Sequence, residues 1–285
     1  IACLLVLLTS ITASAELATS NVDDTTLTAE NLVEALIGAG VTISNVTYSG
    51  LSGSASASLG TFTGGSGIIG FEDGIILSSG WVSDVVGPNI NDGLSRALGT
   101  VGDSDLNSLI PGYTTYNATI LEFDFVPEGD TLLFSYVFGS EEYNEYVNSS
   151  FNDVFGFFLN GSNIALIPGT STAVSINNVN NGNPYGSGGS YPEFYRNNDL
   201  DDGGGSIDTQ MDGMTVVFSV EAVVNPGQIN HIKLAIADAG DQVLDSWVLI
   251  KAGSFTATDL VLTPFTATNN VGESHTLTAT YKENN

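Results

Sequence analysis

The chain has 285 residues, enough for one large β domain or two ordinary ones, and its 42% hydrophobic and 9% aromatic content exclude disorder as the main state. Only 5 Lys and Arg stand against 32 Asp and Glu, a net charge of −27. That balance argues against nucleic acid and anionic membrane surfaces as partners and makes cations the natural counter-ligands.

The first segment, Ile1–Thr12 (IACLLVLLTSIT), is apolar, too short to span a bilayer as a helix, and followed by Ala13-Ser14-Ala15. It reads as the h-region and cleavage site of a signal peptide, residues 1–15, truncated at its start. The single cysteine, Cys3, lies within it. The mature, exported chain then starts near Glu16 without thiols, so stability rests on the core, glycans or hard-metal ions.

One helix stands out. Thr28 can cap it, Leu27 and Leu32 can form a hydrophobic staple, and Ala29–Ile37 would stop at Gly38. Nearly everything after it reads as strand. Val41–Tyr48 is β-branched. Gly67–Phe71 and Gly74–Ser79 are short apolar runs split by Glu72-Asp73-Gly74. In Thr119–Val126, Leu121, Phe123 and Phe125 alternate with Glu122 and Asp124, the period of a half-buried strand. Thr131–Phe138 follows a Pro-Glu-Gly-Asp turn. Asp153–Leu159, Asn160-Gly161 and Asn163–Ile167 read as a hairpin. Met214–Val224, Ile229–Ala237 and Val243–Ile250 are three further strands. Ser83–Tyr116 is turn-rich, with a short helix possible at Ser104–Leu109. Asn177–Asp212 is a long polar loop, of a length usually functional or mobile. The expected fold is mainly β: a jelly-roll-like β-sandwich over 16–257, with one short N-terminal helix and a long loop. Residues 258–285 form a separate tail, with the boundary near Thr256–Asp259.

Two acidic clusters sit at strand ends. Ser140–Asp153 carries Glu141, Glu142, Asn152 and Asp153. Asp238–Asp245 carries Asp238, Asp241 and Asp245. Calcium takes six to eight oxygens at 2.3–2.6 Å, and loops at one end of a sandwich can gather them from distant positions. Converging carboxylates without Lys or Arg raise one another's pKa or demand a cation. These seven residues are therefore the candidate Ca²⁺ ligands; acids capping turns in water are the alternative. The run Asn197–Asp208 departs from an EF-hand, with Asp202 where Gly belongs and Asp208 where Glu belongs, and reads as a solvated acidic loop. Tyr185, Tyr191, Phe194 and Tyr195 on the long loop could stack on sugars or anchor a protein, or fold back and pin the loop.

Catalysis has little support. Glu141 and Glu142 are adjacent and would point to opposite faces of a strand, a poor start for a glycosidase pair. The only histidines are His231 and His275, and there is no G-x-S-x-G. Asn45, Asn117, Asn148 and Asn160 begin N-x-[S/T] sequons, a pattern that arises readily by chance in a chain rich in Ser, Thr and Asn.

Several long phrases occur in a recognisable order. FGSEEYNEYVNSSFNDVFGFFLNG (138–161), NIALIPGT (163–170), VSINNVN (174–180), DGMTVVFSV (212–220) and HIKLAIADAGDQVLDSWVLIKAGSF (231–255) resemble the choice-of-anchor L domain. The opening LTAENLVEALIGAGVTISNVTYSG (27–50) and IGFEDGIILSSG (69–80) resemble its start; the loop at 183–212 matches least. The tail LTPFTATNNVGESHTLTAT (262–280) resembles the beginning of a bacterial immunoglobulin-like repeat. The resemblance implies a secreted microbial surface protein without established enzymatic activity, its envelope anchor expected beyond residue 285. The expectation is a non-catalytic module for adhesion or envelope structure, Ca²⁺-stabilised, with a surface glycan or protein as ligand. The alternatives are a carbohydrate-binding module using loop 183–212 and, behind it, a glycan-acting hydrolase.

Overall fold

The computed structural model describes residues 16–263 and 278–282. The expected signal peptide, residues 1–15 with Cys3, and the tail at 264–277 and 283–285 lie outside the described residues. In chain order the elements begin β1 (Ala18–Asn21), α1 (Ala29–Leu36), β2 (Val41–Ser49), β3 (Leu59–Thr63) and β4 (Gly74–Ser78). Next come α2 (Ser104–Leu109), β5 (Thr115–Pro127), β6 (Thr131–Ser140), β7 (Val154–Leu159) and β8 (Ser162–Asn163). The last are β9 (Tyr195–Asn197), β10 (Gly213–Thr215), β11 (Phe218–Val223), β12 (Asn230–Ala239), β13 (Ser246–Lys251), β14 (Thr256–Thr263) and β15 (Thr278–Lys282).

They form a β-sandwich of two antiparallel sheets. One runs β1-β3-β4-β13-β6-β10-β9, and the other β2-β5-β12-β7-β8. β6 is the spine of the first. One of its edges pairs with β13 and then with the start of β14; the other pairs with β10 and then with β11. The stretch expected as one strand, Met214–Val224, is thus two. Its break lies at Val216, whose N–H turns away to donate to the Phe194 carbonyl at 2.8 Å.

Between the sheets lies an aromatic core. Phe123 and Phe125 of β5, Phe134 and Tyr136 of β6, and Phe155 and Phe157 of β7 are all buried. Phe134 stacks on Phe157 at 3.8 Å between ring centroids, and Phe255 meets Phe125 edge-on at 5.1 Å. α1 adds Leu32, Val33 and Leu36, each fully buried, to this core. Its cap is as the sequence implies, with Thr28 and Asn31 bonding each other's backbone N–H in a capping box. It ends one residue early, however, because Ile37 is already extended. Gly38 serves close approach here: a Cβ on it would lie 2.5 Å from the Gly253 carbonyl oxygen.

Both sheets are also covered outside. Trp247, Leu249, Ile76 and Val137 pack against Phe62, Ile68, Ile69 and Met211 on one side. Leu106 and Ile110 pack against Val154, Phe158, Ala235 and Ala237 on the other. Burial on both faces explains why GIILS, VFGFFL and SWVLI show no alternation. It also corrects one expectation. Ile68 and Ile69 are not in a strand; 67–71 is a tight turn in which the Gly65 carbonyl accepts from residues 68, 69 and 70. The described second arm of the β7 hairpin is only Ser162–Asn163. Its Asn160-Gly161 turn holds, both residues having positive φ.

Residues 256–258 of β14 pair with β6, while residues 259–263 pair with β15. The sandwich's last strand and the first strand of the tail hairpin are therefore one continuous element.

Candidate functional site

Strands of both sheets converge on one rim. β4 and β6 of the first sheet end there and β13 begins. β12 of the second ends there, and β5 and β7 begin. The two acidic segments interlock at this rim. The Glu141 N–H donates to the Asp245 carbonyl at 3.0 Å, and the Asn152 N–H to the Ala239 carbonyl at 3.0 Å. The Ser246 hydroxyl donates to Asp153 Oδ2 at 2.7 Å, joining the sheets, and the Ala239 N–H donates to Asp153 Oδ1 at 2.9 Å.

Glu141, Glu142, Asp153, Asp238 and Asp245 are each at most 1% exposed. Glu141 and Glu142 diverge, as adjacent residues leaving a strand must. Glu141 accepts from the Leu94 N–H at 3.1 Å on the side of Asp212 and Asp245. Glu142 faces Asp153, Asp241 and Glu145, and lines with Asp241, Tyr146 and Phe151 a cavity of about 140 Å³. Asp241 is half-buried and caps the Val243 N–H. The Asn152 side-chain oxygen accepts from the Asn177 N–H at 2.8 Å and so shapes a turn.

Burial is the main force on these acids. It pushes Glu141 and Glu142 up to about 10, with Asp212 and Asp153 respectively adding the next largest repulsion. Burial raises Asp153 to about 8 and Asp245 to about 7, and carries Asp238 well above the carboxylate range. Glu141 Oε1, Glu142 Oε2, Asp238 Oδ1 and Asp245 Oδ2 are buried with no hydrogen-bond partner. None of the ion pairs among the described residues includes any of these acids. Oxygen donors without His or Cys suit a hard cation such as Ca²⁺.

The geometry limits how such an ion could be held. No three of the seven expected ligands bring carboxylate oxygens within 4.8 Å of one another. The arrangement does not build a single ion bound by all seven; the rim divides into a Glu141 side and a Glu142 side.

Sequence reasoning missed several partners. Asp212 is fully buried, with Oδ1 accepting from Asn89 at 2.6 Å and Oδ2 unpartnered. Asn117 donates to Asp238 Oδ2 at 2.8 Å. Gly80 is required beside Asp245, since a Cβ there would lie 1.8 Å from Oδ2. Asp199, expected in a solvated loop, is 1% exposed and accepts from the backbone N–H groups of Asn144, Asp201 and Asp202. Asp92, Glu145 and Asp199 do bring one oxygen each within 4.8 Å.

The long loop is packed. Asn198 donates to the Thr209 and Met211 carbonyls and accepts from the Ile207 N–H, replacing a backbone ladder with side-chain bonds. Of its aromatics, Tyr195 is buried with its hydroxyl on Asn144, and Phe194 packs edge-on against Phe218 at 5.4 Å. Tyr185 and Tyr191 are exposed, at 44% and 36%. The four sequon asparagines, Asn45, Asn117, Asn148 and Asn160, all have positive φ, a backbone state that Asn tolerates better than most residues.

A family model, the Choice-of-anchor L domain, matches residues 21–256, and the chain belongs to this family. No curated protein and no solved structure matches it. The family is one of surface-associated modules and is not a known enzyme family. Among the described residues, no helix is long and apolar enough to cross a membrane.

Proposed function

We propose that this domain is a non-catalytic, cell-surface module for adhesion or envelope structure, and that Ca²⁺ bound at its acidic rim stabilises it. One observation carries the calcium reading: five carboxylates, each at most 1% exposed, meet at the junction of two sheets with no cationic side chain paired to any of them. An uncompensated buried charge costs several kcal/mol, so these acids are either protonated or matched by a cation. On this reading each ion is held by at most two of the rim carboxylates, drawn from Glu142, Asp153 and Asp241 on one side or from Glu141, Asp238 and Asp245 on the other, with backbone carbonyls and water completing its oxygen shell. Fixing the ends of both sheets suits a module displayed outside the cell without disulfides.

The test is a thermal melt of the chain in millimolar Ca²⁺ and in EDTA. Ligand at 100 times its Kd adds about 2.7 kcal/mol. For a domain of this size that is a rise of about 5–11 °C. Equal melting temperatures in the two buffers would refute the calcium reading.

A second reading is carbohydrate binding through the long loop, favoured by the exposure of Tyr185 and Tyr191 alone among its four expected aromatics. Glycan-array binding that is lost in Tyr185→Ala and Tyr191→Ala supports it. An array without hits counts against it.

A further inference from the structure

The acidic rim does not exhaust the carboxylates of this end of the molecule. Asp92, Glu145 and Asp199 come from three separate stretches: the turn-rich segment after β4, the turn after β6, and the long loop beyond β9. One carboxylate oxygen from each lies within 4.8 Å of the other two. Two oxygens bound to one Ca²⁺ at about 2.4 Å can be at most about 4.8 Å apart, so this spacing is compatible with a shared ion. None of the rim acids belongs to the triad, and none of the ion pairs among the described residues involves it.

A second, independent feature points to a ligand. Asp212 is 0% exposed, yet its Oδ2 has no hydrogen-bond partner. Its other oxygen is fixed by Asn89, whose amide also donates to the Asn198 carbonyl at 3.0 Å, one residue before Asp199. Asp92, Glu145 and Asp199, in that order, repel Asp212, which also adjoins Glu141 of the rim. Asp92 likewise has a buried Oδ1 with no partner. A sealed carboxylate with one unpartnered oxygen, repelled by three converging carboxylates, is costly for the fold unless a positive charge is shared among them.

The frame is preorganised. Asp199 Oδ2 accepts from the Asn144 N–H at 2.9 Å, and Oδ1 from the Asp201 and Asp202 N–H groups at 2.8 and 3.0 Å. Asn144 is also tied to Asn197 through its side chain at 2.9 Å. Glu145 is exposed, so an ion can enter from solvent and keep water on that side.

We propose that Asp92, Glu145 and Asp199, backed by Asp212, form a second divalent-cation site beside the acidic rim, occupied by Ca²⁺ and clamping the long loop onto the sandwich. Only hard oxygen donors are present, and their three loops suit the adaptable shell of Ca²⁺ better than the strict octahedron of Mg²⁺.

The test is calorimetric titration of the whole chain, stripped of metal, with Ca²⁺ and with Mg²⁺. Asp92→Asn/Glu145→Gln changes one half-buried and one exposed residue, so the fold should be retained; circular dichroism checks that. The native chain is expected to bind one more Ca²⁺ than this variant, and the variant to keep the Ca²⁺-dependent melting shift of the rim. Asp153→Asn/Asp238→Asn is expected to reduce the rim shift and keep the equivalent held by Asp92, Glu145 and Asp199. Limited proteolysis gives a separate readout: Ca²⁺ should slow cleavage within 183–212 in the native chain and not in Asp92→Asn/Glu145→Gln. Unchanged Ca²⁺ stoichiometry in that variant overturns this site while leaving the rim intact. Tighter binding of Mg²⁺ than of Ca²⁺ overturns the choice of ion. A native chain without any Ca²⁺ heat overturns both sites.

Discussion

The buried rim acids make stability depend on pH differently with and without calcium. Asp245 is the clearest case: burial lifts its carboxyl from the ordinary 3.8 to about 7. A folded-state pKa above the unfolded one means the native chain holds the extra proton. Its stability is complete below pH 3.8 and drains as pH rises through 7. Between pH 5 and 8 the loss from this one group is about 3 kcal/mol, or roughly 6–12 °C in melting temperature. Glu141 and Glu142, lifted from 4.5 to about 10, deepen the loss across the same range. Acids held low, Asp23 by the Leu27 N–H and Asp124 by Asn45, act below this window. In EDTA the melting temperature should therefore fall steadily from pH 5 to 8. In Ca²⁺ the ion competes with protons for the same oxygens, so its benefit grows with pH and the two curves diverge. Scanning calorimetry at four pH values in each buffer measures this. An EDTA curve that is flat or rising from pH 5 to 8 refutes the account of buried, unpaired acids.

Single substitutions should show the same logic. Asp238→Asn keeps an oxygen for Asn117 but removes a buried charge; it should leave stability unchanged or raised in EDTA at pH 8, and lower it in Ca²⁺. A loss of equal size in both buffers, read by melting, would make Asp238 a packing residue only. Gly80→Ala drives a methyl to within 1.8 Å of Asp245 Oδ2, so it should cost about 1–3 kcal/mol in a urea titration and shrink the calcium shift. Outside the set of rim acids, Lys233 pairs with the α2 N-cap Asp103 at 2.6 Å, with both side chains largely buried. Lys233→Met strands that carboxylate and should cost about 3 kcal/mol in the same titration; a cost under about 1 kcal/mol would mean the cap alone satisfies Asp103.

The strands that alternate were the most legible in the sequence. Leu121, Phe123 and Phe125 against Glu122 and Asp124 point to β5 because one face is core and the other wet. β1, β3 and β9 carry no such signal. Ala18–Asn21 is short and half exposed, and Leu59–Thr63 buries the adjacent Leu59 and Gly60, so both its faces are covered. Tyr195–Asn197 is a three-residue strand that exists because β10 lies beside it. The apolar run at 67–71 misleads for a related reason. Burial rewards Ile68 and Ile69 equally whether they sit in a ladder or in a turn laid over Trp247 and Leu249. Composition is likewise silent on the long loop, since Asn and Asp that would be solvated in a linker here satisfy one another and the backbone.

For the site, the sequence located the acids but not their grouping. Strand ends at 140, 153, 239 and 246 meet only because β6 and β13 pair in one sheet while β7 and β12 pair in the other. Pairing within each sheet draws no distinction between Glu141 and Glu142; the pleat does, sending one toward Asp212 and the other toward Asp153. Asp92 is a lone acid in a polar stretch and Asp199 reads as one of several acids in a solvated loop, and only the crossing of three loops brings them to Glu145. The same crossing gives the net charge of −27 a local meaning. Surface acids such as Glu122 and Asp124 can repel one another cheaply through water, with His231 between them at 3.1 and 2.9 Å. Rim acids at most 1% exposed have no water to screen them, so the cost of the chain's charge falls on this one end of the sandwich. Arg96, whose backbone N–H donates to Asp245 Oδ1 at 2.7 Å, offsets part of that cost for Asp245, but its side chain pairs with Asp84. With no rim acid in an ion pair, the order of both sheet ends is tied to the cation content of the surroundings.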